Sequence, residues 1–259
     1  MGYTLFVMFV ALGLFVGMVL LVEVGRRIGL RRMQKDPEGA RAGVGAVEGA
    51  IFALLGLLIA FTFSGAAARF DARRQLIVQE ANAVRTASLR LDLLAPDTQP
   101  ALRESFRRYL DERLEVYRKL PDIAAAMKAL ASAERLQADI WRQALAACRA
   151  EGSRPQATVL LLPALNAMIE ISTTRNMATH VHPPAIIFVM LLGLALASAL
   201  LAGHGMASAR TRSWPHVVGF AAAMACAVYV ILEIEYPRFG MIRIDAFDQA
   251  LVELRDSLR

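Results

Sequence analysis

The chain has 259 residues, with 29 Lys and Arg against 23 Asp and Glu, and a formal net charge of +6. Hydrophobic residues make up 56% of it, above the roughly 45–50% of a soluble domain. This excess is gathered in blocks, which argues against an ordinary soluble globule and against disorder. The two cysteines exclude a disulfide framework and a multi-cysteine zinc site.

Four blocks are long enough to cross a bilayer, which takes roughly 20 mainly apolar residues in a helix. They lie at 3–24, 49–68, 184–203 and 213–232. Backbone polar groups in lipid must be satisfied within the segment, so each block is predicted to be helical. No Lys or Arg precedes the first block, which favours a retained helix over a cleaved signal peptide.

Short basic loops predict the orientation, because Lys and Arg collect on the cytoplasmic side. Both loops, the one between the first two helices and the one between the last two, are then cytoplasmic. The N-terminus, the long middle segment and the C-terminal tail fall outside. The basic residues are Arg26, Arg27, Arg31, Arg32, Lys35 and Arg41 in the first loop, and Arg210 and Arg212 in the last.

The middle segment is polar but periodic, which predicts a helical bundle. The second membrane helix is expected to continue to about residue 94, where prolines break it. Apolar residues every three or four positions predict a helix over 102–117. Asp122 is then expected to cap a third helix. A fourth runs from about residue 156 toward 180, with Pro163 kinking it or marking its true start.

The predicted fold class is therefore an all-α membrane protein, with four transmembrane helices and a helical-bundle insert between the second and third. The predicted domains are a first helix pair with its basic loop at 1–68, the insert at 69–183, a second helix pair at 184–232, and a C-terminal tail at 233–259. No window alternates apolar and polar residues for long enough to indicate a sheet.

Small residues that permit close helix approach recur in the membrane blocks. They are predicted to pack the four helices within one chain, or to bring the second helix against its own copy in an oligomer. The predicted packing residues are Gly13, Gly17, Gly49, Gly56, Ala60 and Ser64.

A row of bulky apolar residues also follows the second helix at a spacing of four. Leu55, Ile59 and Phe63 form this row. Such a row is typical of a lipid-facing surface, and also of a hydrophobic constriction that gates ions by dewetting. This row is therefore the candidate pore lining.

Residues that carry chemistry are scarce. The sequence has no phosphate-binding or dinucleotide-binding glycine motif, no identifiable nucleophile and base, and no basic stripe with interleaved aromatics for nucleic acid. His180 and His182 are two apart, which is a poor metal spacing on a helix. We predict no enzyme activity, no cofactor and no metal. Four acidic residues flank the predicted spans, and each either has a functional role or simply reaches the membrane interface. They are Glu23, Glu48, Glu233 and Glu235.

Several segments resemble a bacterial membrane family called bestrophin-like. They are residues 56–66, which read GLLIAFTFSGA, residues 72–83, which read ARRQLIVQEANA, and shorter runs at 89–94 and 237–243. The order of two helices, helical insert and two helices also matches. The resemblance covers nearly the whole chain and implies a multi-pass protein of the bacterial inner membrane.

Kinship with bestrophins implies a pentameric anion channel whose second helix lines the pore, with Leu55, Ile59 and Phe63 resembling the apolar neck. The implied partners are membrane lipid, further copies of the chain and small anions or other ions. Two departures stand out. The acidic calcium clasp of some bestrophins is missing, and bestrophins hold the helical domain in the cytoplasm, opposite to the orientation that the loop charges predict.

Two functions remain open from the sequence. One is an oligomeric channel with a pore lined by the second helix. The other is a non-conducting scaffold or envelope stress sensor that binds a partner through the helical insert.

Overall fold

A computed structural model describes residues 2–35, 44–208 and 213–258, and eight α-helices account for most of them. No strand occurs in these described ranges, so the all-α prediction is confirmed. Arg41, Arg210 and Arg212, used above for orientation, lie outside them. The helices are α1 (Gly2–Lys35), α2 (Val44–Leu89), α3 (Gln99–Arg118), α4 (Ile123–Arg149), α5 (Gln156–Ala178), α6 (Ala185–Gly205), α7 (Trp214–Glu235) and α8 (Gln249–Ser257).

Five helices within the described ranges are long and apolar enough to cross a membrane. Four of them, α1, α2, α6 and α7, cover the predicted blocks, with α6 and α7 each beginning one residue later than predicted. The fifth is α5, whose mean hydropathy of 1.3 is the lowest of the set. The chain is a multi-pass membrane protein, and the predicted count of four spans is one fewer than the helices that qualify.

Two compact units divide the chain. The first comprises Met1–Arg69 and His182–Tyr236, and the second comprises Phe70–Val181 and Pro237–Arg259. The division falls inside α2, whose 46 residues span about 69 Å at 1.5 Å per residue. This is roughly twice the 30 Å of a hydrocarbon core.

The first unit packs α1 against α6 through glycine. A Cβ built on Gly25 would lie 1.9 Å from the carbonyl oxygen of Leu200, and one on Gly203 would lie 1.9 Å from that of Val22. These separations leave no room for a side chain, so the two backbones touch. Lipid offers little hydrophobic drive between helices, and such close contact supplies the packing energy instead.

The second unit is a helical bundle around a conventional apolar core. Each helix turns one apolar stripe inward, as the three-to-four spacing predicted for α3. Asp122 caps α4 by accepting a 3.0 Å hydrogen bond from the backbone N–H of Ala125, as predicted. α5 begins at Gln156, so Pro163 lies inside the helix and does not mark its start. Core residues include Val84, Leu91, Phe106, Leu110, Ile140, Leu161, Leu165, Met168, Leu251 and Leu254.

Candidate functional site

The membrane half of α2 is the least covered of the candidate spans. Only 11% of its most apolar window is buried, against 28% for α1 and 39% for α7. A Cβ built on Gly49 or Gly56 would meet no atom within 4 Å. Ala60 and Ser64, also predicted packing residues, are exposed. The small-residue face of α2 therefore has no partner helix among the described residues of its own chain.

Two more packing predictions fall on α1. A Cβ on Gly17 would lie 3.2 Å from Cδ2 of Leu196, so Gly17 faces α6 at less than the ordinary van der Waals distance. Gly13 has open space beside it. The closest approach uses Gly25, which lies just beyond the predicted first block, and Gly203, which follows Ala199 at a small-residue spacing of four.

The three candidate pore residues differ in burial. Leu55 is 3% exposed and belongs to the core of its own unit. Ile59 is half-buried at the edge of that core. Phe63 is 45% exposed. A spacing of four advances 40° per step round a helix of 3.6 residues per turn, so the row drifts from the covered side of α2 to the uncovered one.

A buried charge cluster lies in the second unit around Glu80, whose side chain is fully inaccessible. Arg113 on α3 donates from Nε to Oε1 at 2.7 Å and from Nη2 to Oε2 at 3.0 Å. Arg175 on α5 donates from Nη1 to Oε2 at 2.5 Å. One carboxylate thus ties together α2, α3 and α5. Both guanidinium groups are nearly inaccessible as well.

The electrostatics of this cluster favour the ionised carboxylate. Burial by itself would raise the pKa of Glu80, but the charges of Arg113 and Arg175 and their hydrogen bonds outweigh it and lower the pKa to about 2. Burial raises the pKa of the neighbouring Tyr109, whose hydroxyl lies 3.3 Å from Oε1 of Glu80. Glu80 is therefore a carboxylate, and Tyr109 a neutral phenol, at neutral pH.

The C-terminal tail joins the same cluster through Asp248. Arg175 donates from Nη2 to its Oδ1 at 2.8 Å, and Arg238 donates to both of its oxygens at 2.7 and 3.0 Å. The guanidinium carbons of Arg175 and Arg238 lie 4.1 and 4.0 Å from the ring centre of Tyr117. These distances are in the range of strong cation–π contacts. The tail is thus bound to the bundle by charge as well as by Leu251 and Leu254.

A second ionic contact lies in the first unit. Arg69 donates from Nη2 to Oε2 of Glu235 at 2.6 Å, and Nδ1 of His182 lies 2.9 Å from Oε1 of the same carboxylate. The His182 ring stacks on Tyr236 with centres 4.4 Å apart. Of the four acids that flank the predicted spans, Glu235 therefore bonds to Arg69 and His182, and Glu23 pairs with Arg27 at 3.0 Å.

In both clusters the carboxylates are hydrogen-bonded to guanidinium groups. Across residues 2–35, 44–208 and 213–258, no group of three or more His, Cys, Asp or Glu side chains is arranged to hold a metal ion.

The family model for the Bestrophin-like domain matches residues 12–246. The chain belongs to the Bestrophin-like family. The resemblance drawn from the sequence motifs is thereby confirmed, and the match runs from within α1 to beyond the end of α7. No curated protein matches the sequence significantly.

Solved structures share the fold at low sequence identity. Two crystal structures of a bacterial Bestrophin homolog from Klebsiella pneumoniae, each with one substitution, are 15% identical to this chain. Their TM-scores are 0.66 and 0.64, over 94% and 92% of this chain and 98% of theirs. A crystal structure described as a membrane protein is 17% identical, with a TM-score of 0.56 over 93% of this chain and 98% of its own. At such identity the likeness establishes the fold.

Proposed function

We propose that the protein is an ion channel of the bacterial inner membrane, assembled as a closed ring of identical chains with the membrane half of α2 around a central pathway. The uncovered small-residue face of α2 carries this proposal. Gly49 and Gly56 give little surface to lipid, but they allow another helix to approach closely. A second copy of the chain would supply that helix.

Membership of the Bestrophin-like family supports the same function. Bestrophins are anion channels, so a small anion is the proposed permeant ion, and five subunits follow by analogy. The proposal assigns no catalytic residue and no cofactor, because permeation needs neither.

We propose four spans, with α5 in the extramembrane bundle. Its mean hydropathy is low, and it buries Ser172 and Arg175 in a polar, charged cluster. A buried arginine costs far less in a water-facing bundle than at membrane depth. We propose that this bundle lies outside the cytoplasm, which is the orientation that the basic loops predict.

Phe63 is the proposed constriction, with Ile59 beside it and Leu55 packed behind the row in the chain's own core. Bulky apolar rings that meet at an axis exclude water and raise the barrier to ions. Replacing Phe63 with alanine is expected to widen this point and increase the chloride flux of proteoliposomes severalfold. Flux is measured as chloride release after dilution into chloride-free buffer.

Phe61→Ala is the matched control for that experiment. Phe61 is 68% exposed and lies two residues away, about 200° round the helix, so the proposal places it on lipid. Its removal should leave the flux unchanged. Equal effects of both variants would contradict the constriction. No flux from folded, oligomeric protein would contradict conduction and favour the non-conducting scaffold.

A further inference from the structure

The last turns of α1 form a basic segment. From residue 24 to residue 35 the sequence holds five basic residues and no acid. Glu23, just before it, pairs with Arg27. Arg31 and Lys35 are exposed and have no ion pair with any residue that the structure describes. Among the residues that the structure describes, this end of the helix therefore carries positive charge that only Glu23 offsets, at Arg27.

The exposed side of α1 changes character along its length. Leu20 and Val24 are 60% and 45% exposed and present apolar surface. Arg27, Arg31 and Lys35 follow at steps of four on nearly the same side, since each step of four turns the helix by only 40°. From Val24 to Lys35, about 16 Å along the helix axis, this face changes from apolar to basic. Such a face suits the boundary between the acyl chains and the headgroups of a bilayer.

The opposite side of the same segment is held by the protein. Gly25 touches the backbone of α6 at Leu200, and a Cβ on Gly29 would lie 2.6 Å from Cβ of Ala207. These glycines lie roughly 120–160° round the helix from Arg27 and Arg31, and roughly 80–120° from Lys35. The basic residues therefore project from a braced helix, which reduces the conformational entropy that binding would cost.

We infer that this face of α1 binds the headgroups of anionic phospholipids in the leaflet where α1 ends. The phosphodiester anion matches the basic row, and the acyl chains match the apolar residues that precede it. The negative charge of an anionic lipid surface attracts clusters of Lys and Arg that lie close to the membrane. A free phosphate would engage only the basic half of the face. The inference does not depend on ion conduction.

The test uses the full chain in detergent, titrated with phosphatidylglycerol, with bound lipid counted by native mass spectrometry. Phosphatidylcholine and inorganic phosphate are the comparison ligands. The double variant Arg31→Gln/Lys35→Gln is expected to weaken phosphatidylglycerol binding by roughly tenfold, since each charge near an anionic surface contributes a few-fold. Arg31→Lys/Lys35→Arg preserves the charge and should bind normally.

The matched control is Lys128→Gln/Arg135→Gln on α4, which removes the same charge from exposed positions of the other unit. It should bind phosphatidylglycerol as the parent does. Equal weakening by both double variants would show a non-specific charge effect and overturn the inference. Retention of phosphatidylcholine as strong as that of phosphatidylglycerol would also overturn it. So would displacement of phosphatidylglycerol by millimolar phosphate, which would assign the face to free anions.

Discussion

Gly25→Ala and Gly203→Ala are each expected to lower the free energy of unfolding by about 3 kcal/mol, the upper part of the usual range for overpacked sites. A methyl group at either position would lie 1.9 Å from a backbone carbonyl oxygen of the neighbouring helix. Backbone cannot rotate away as a side chain can, so α1 and α6 must separate along their contact. Unfolding of the purified protein in mixed micelles, followed with increasing SDS, measures the loss.

Gly13→Ala and Gly193→Ala are the controls for this prediction. They lie on the same two helices, with no atom within 4 Å of the added methyl group. Alanine has the higher helix propensity, so these variants should be unchanged or slightly more stable. Equal losses in all four variants would contradict the close approach of α1 and α6 at Gly25 and Gly203.

Glu80→Gln is expected to destabilise the protein by about 3–5 kcal/mol, the usual cost of removing one member of a buried ion pair. Glutamine keeps the shape of the side chain but leaves the buried guanidinium groups of Arg113 and Arg175 without their shared anion. Thermal unfolding of the bundle, followed by circular dichroism in detergent, measures the effect.

Asp139→Asn is the surface control, because it breaks an exposed ion pair with Arg142 on α4. Exposed pairs contribute about 0–1 kcal/mol, so little change is expected. A double variant, Glu80→Gln/Arg113→Gln, should lose less than the sum of the two single variants, since each already breaks the same contact. Strict additivity would refute direct coupling between the two side chains.

Acid should remove the contribution of Glu80 in a defined window. The pKa of Glu80 is lowered from 4.5 to about 2 in the folded protein, so its stabilising contribution is complete above pH 4.5 and is lost as the pH falls through 2. The stability difference between the parent and Glu80→Gln should therefore shrink between pH 4.5 and pH 2. A difference that stays constant across this window would contradict the lowered pKa.

The helices were predictable from sequence because the spacing of their apolar residues and the residues that cap or end them are local features. The apolar stripe of α3 and the Asp122 cap are each visible within a few residues. α5 shows the limit of this reasoning. Its length and composition qualify it as a membrane span, whereas its low mean hydropathy and the arginine it buries favour the bundle. Pro163 lies seven residues inside α5, so of the two predicted roles, a kink or the helix start, it does not have the second.

The charge clusters were not predicted, although a signal for them exists. Glu80 lies within the apolar period of α2, beside Ile77 and Ala81. Arg113 and Arg175 interrupt the apolar stripes of α3 and α5 in the same way. Opposite charges on the inward faces of separate helices indicate a buried pair, but which helices meet depends on tertiary packing. Gly25 was not predicted to pack against another helix, because the predicted span ended one residue before it.

The central claim is that α2 borders a pathway on the axis of a ring of identical chains. Single-particle imaging of the full chain in lipid nanodiscs tests it most directly. The account predicts a closed ring, with the face that bears Gly49, Gly56 and Phe63 directed toward the axis or the adjoining subunit. A monomer or a dimer would contradict it, and so would a ring with this face of α2 on its lipid-facing perimeter.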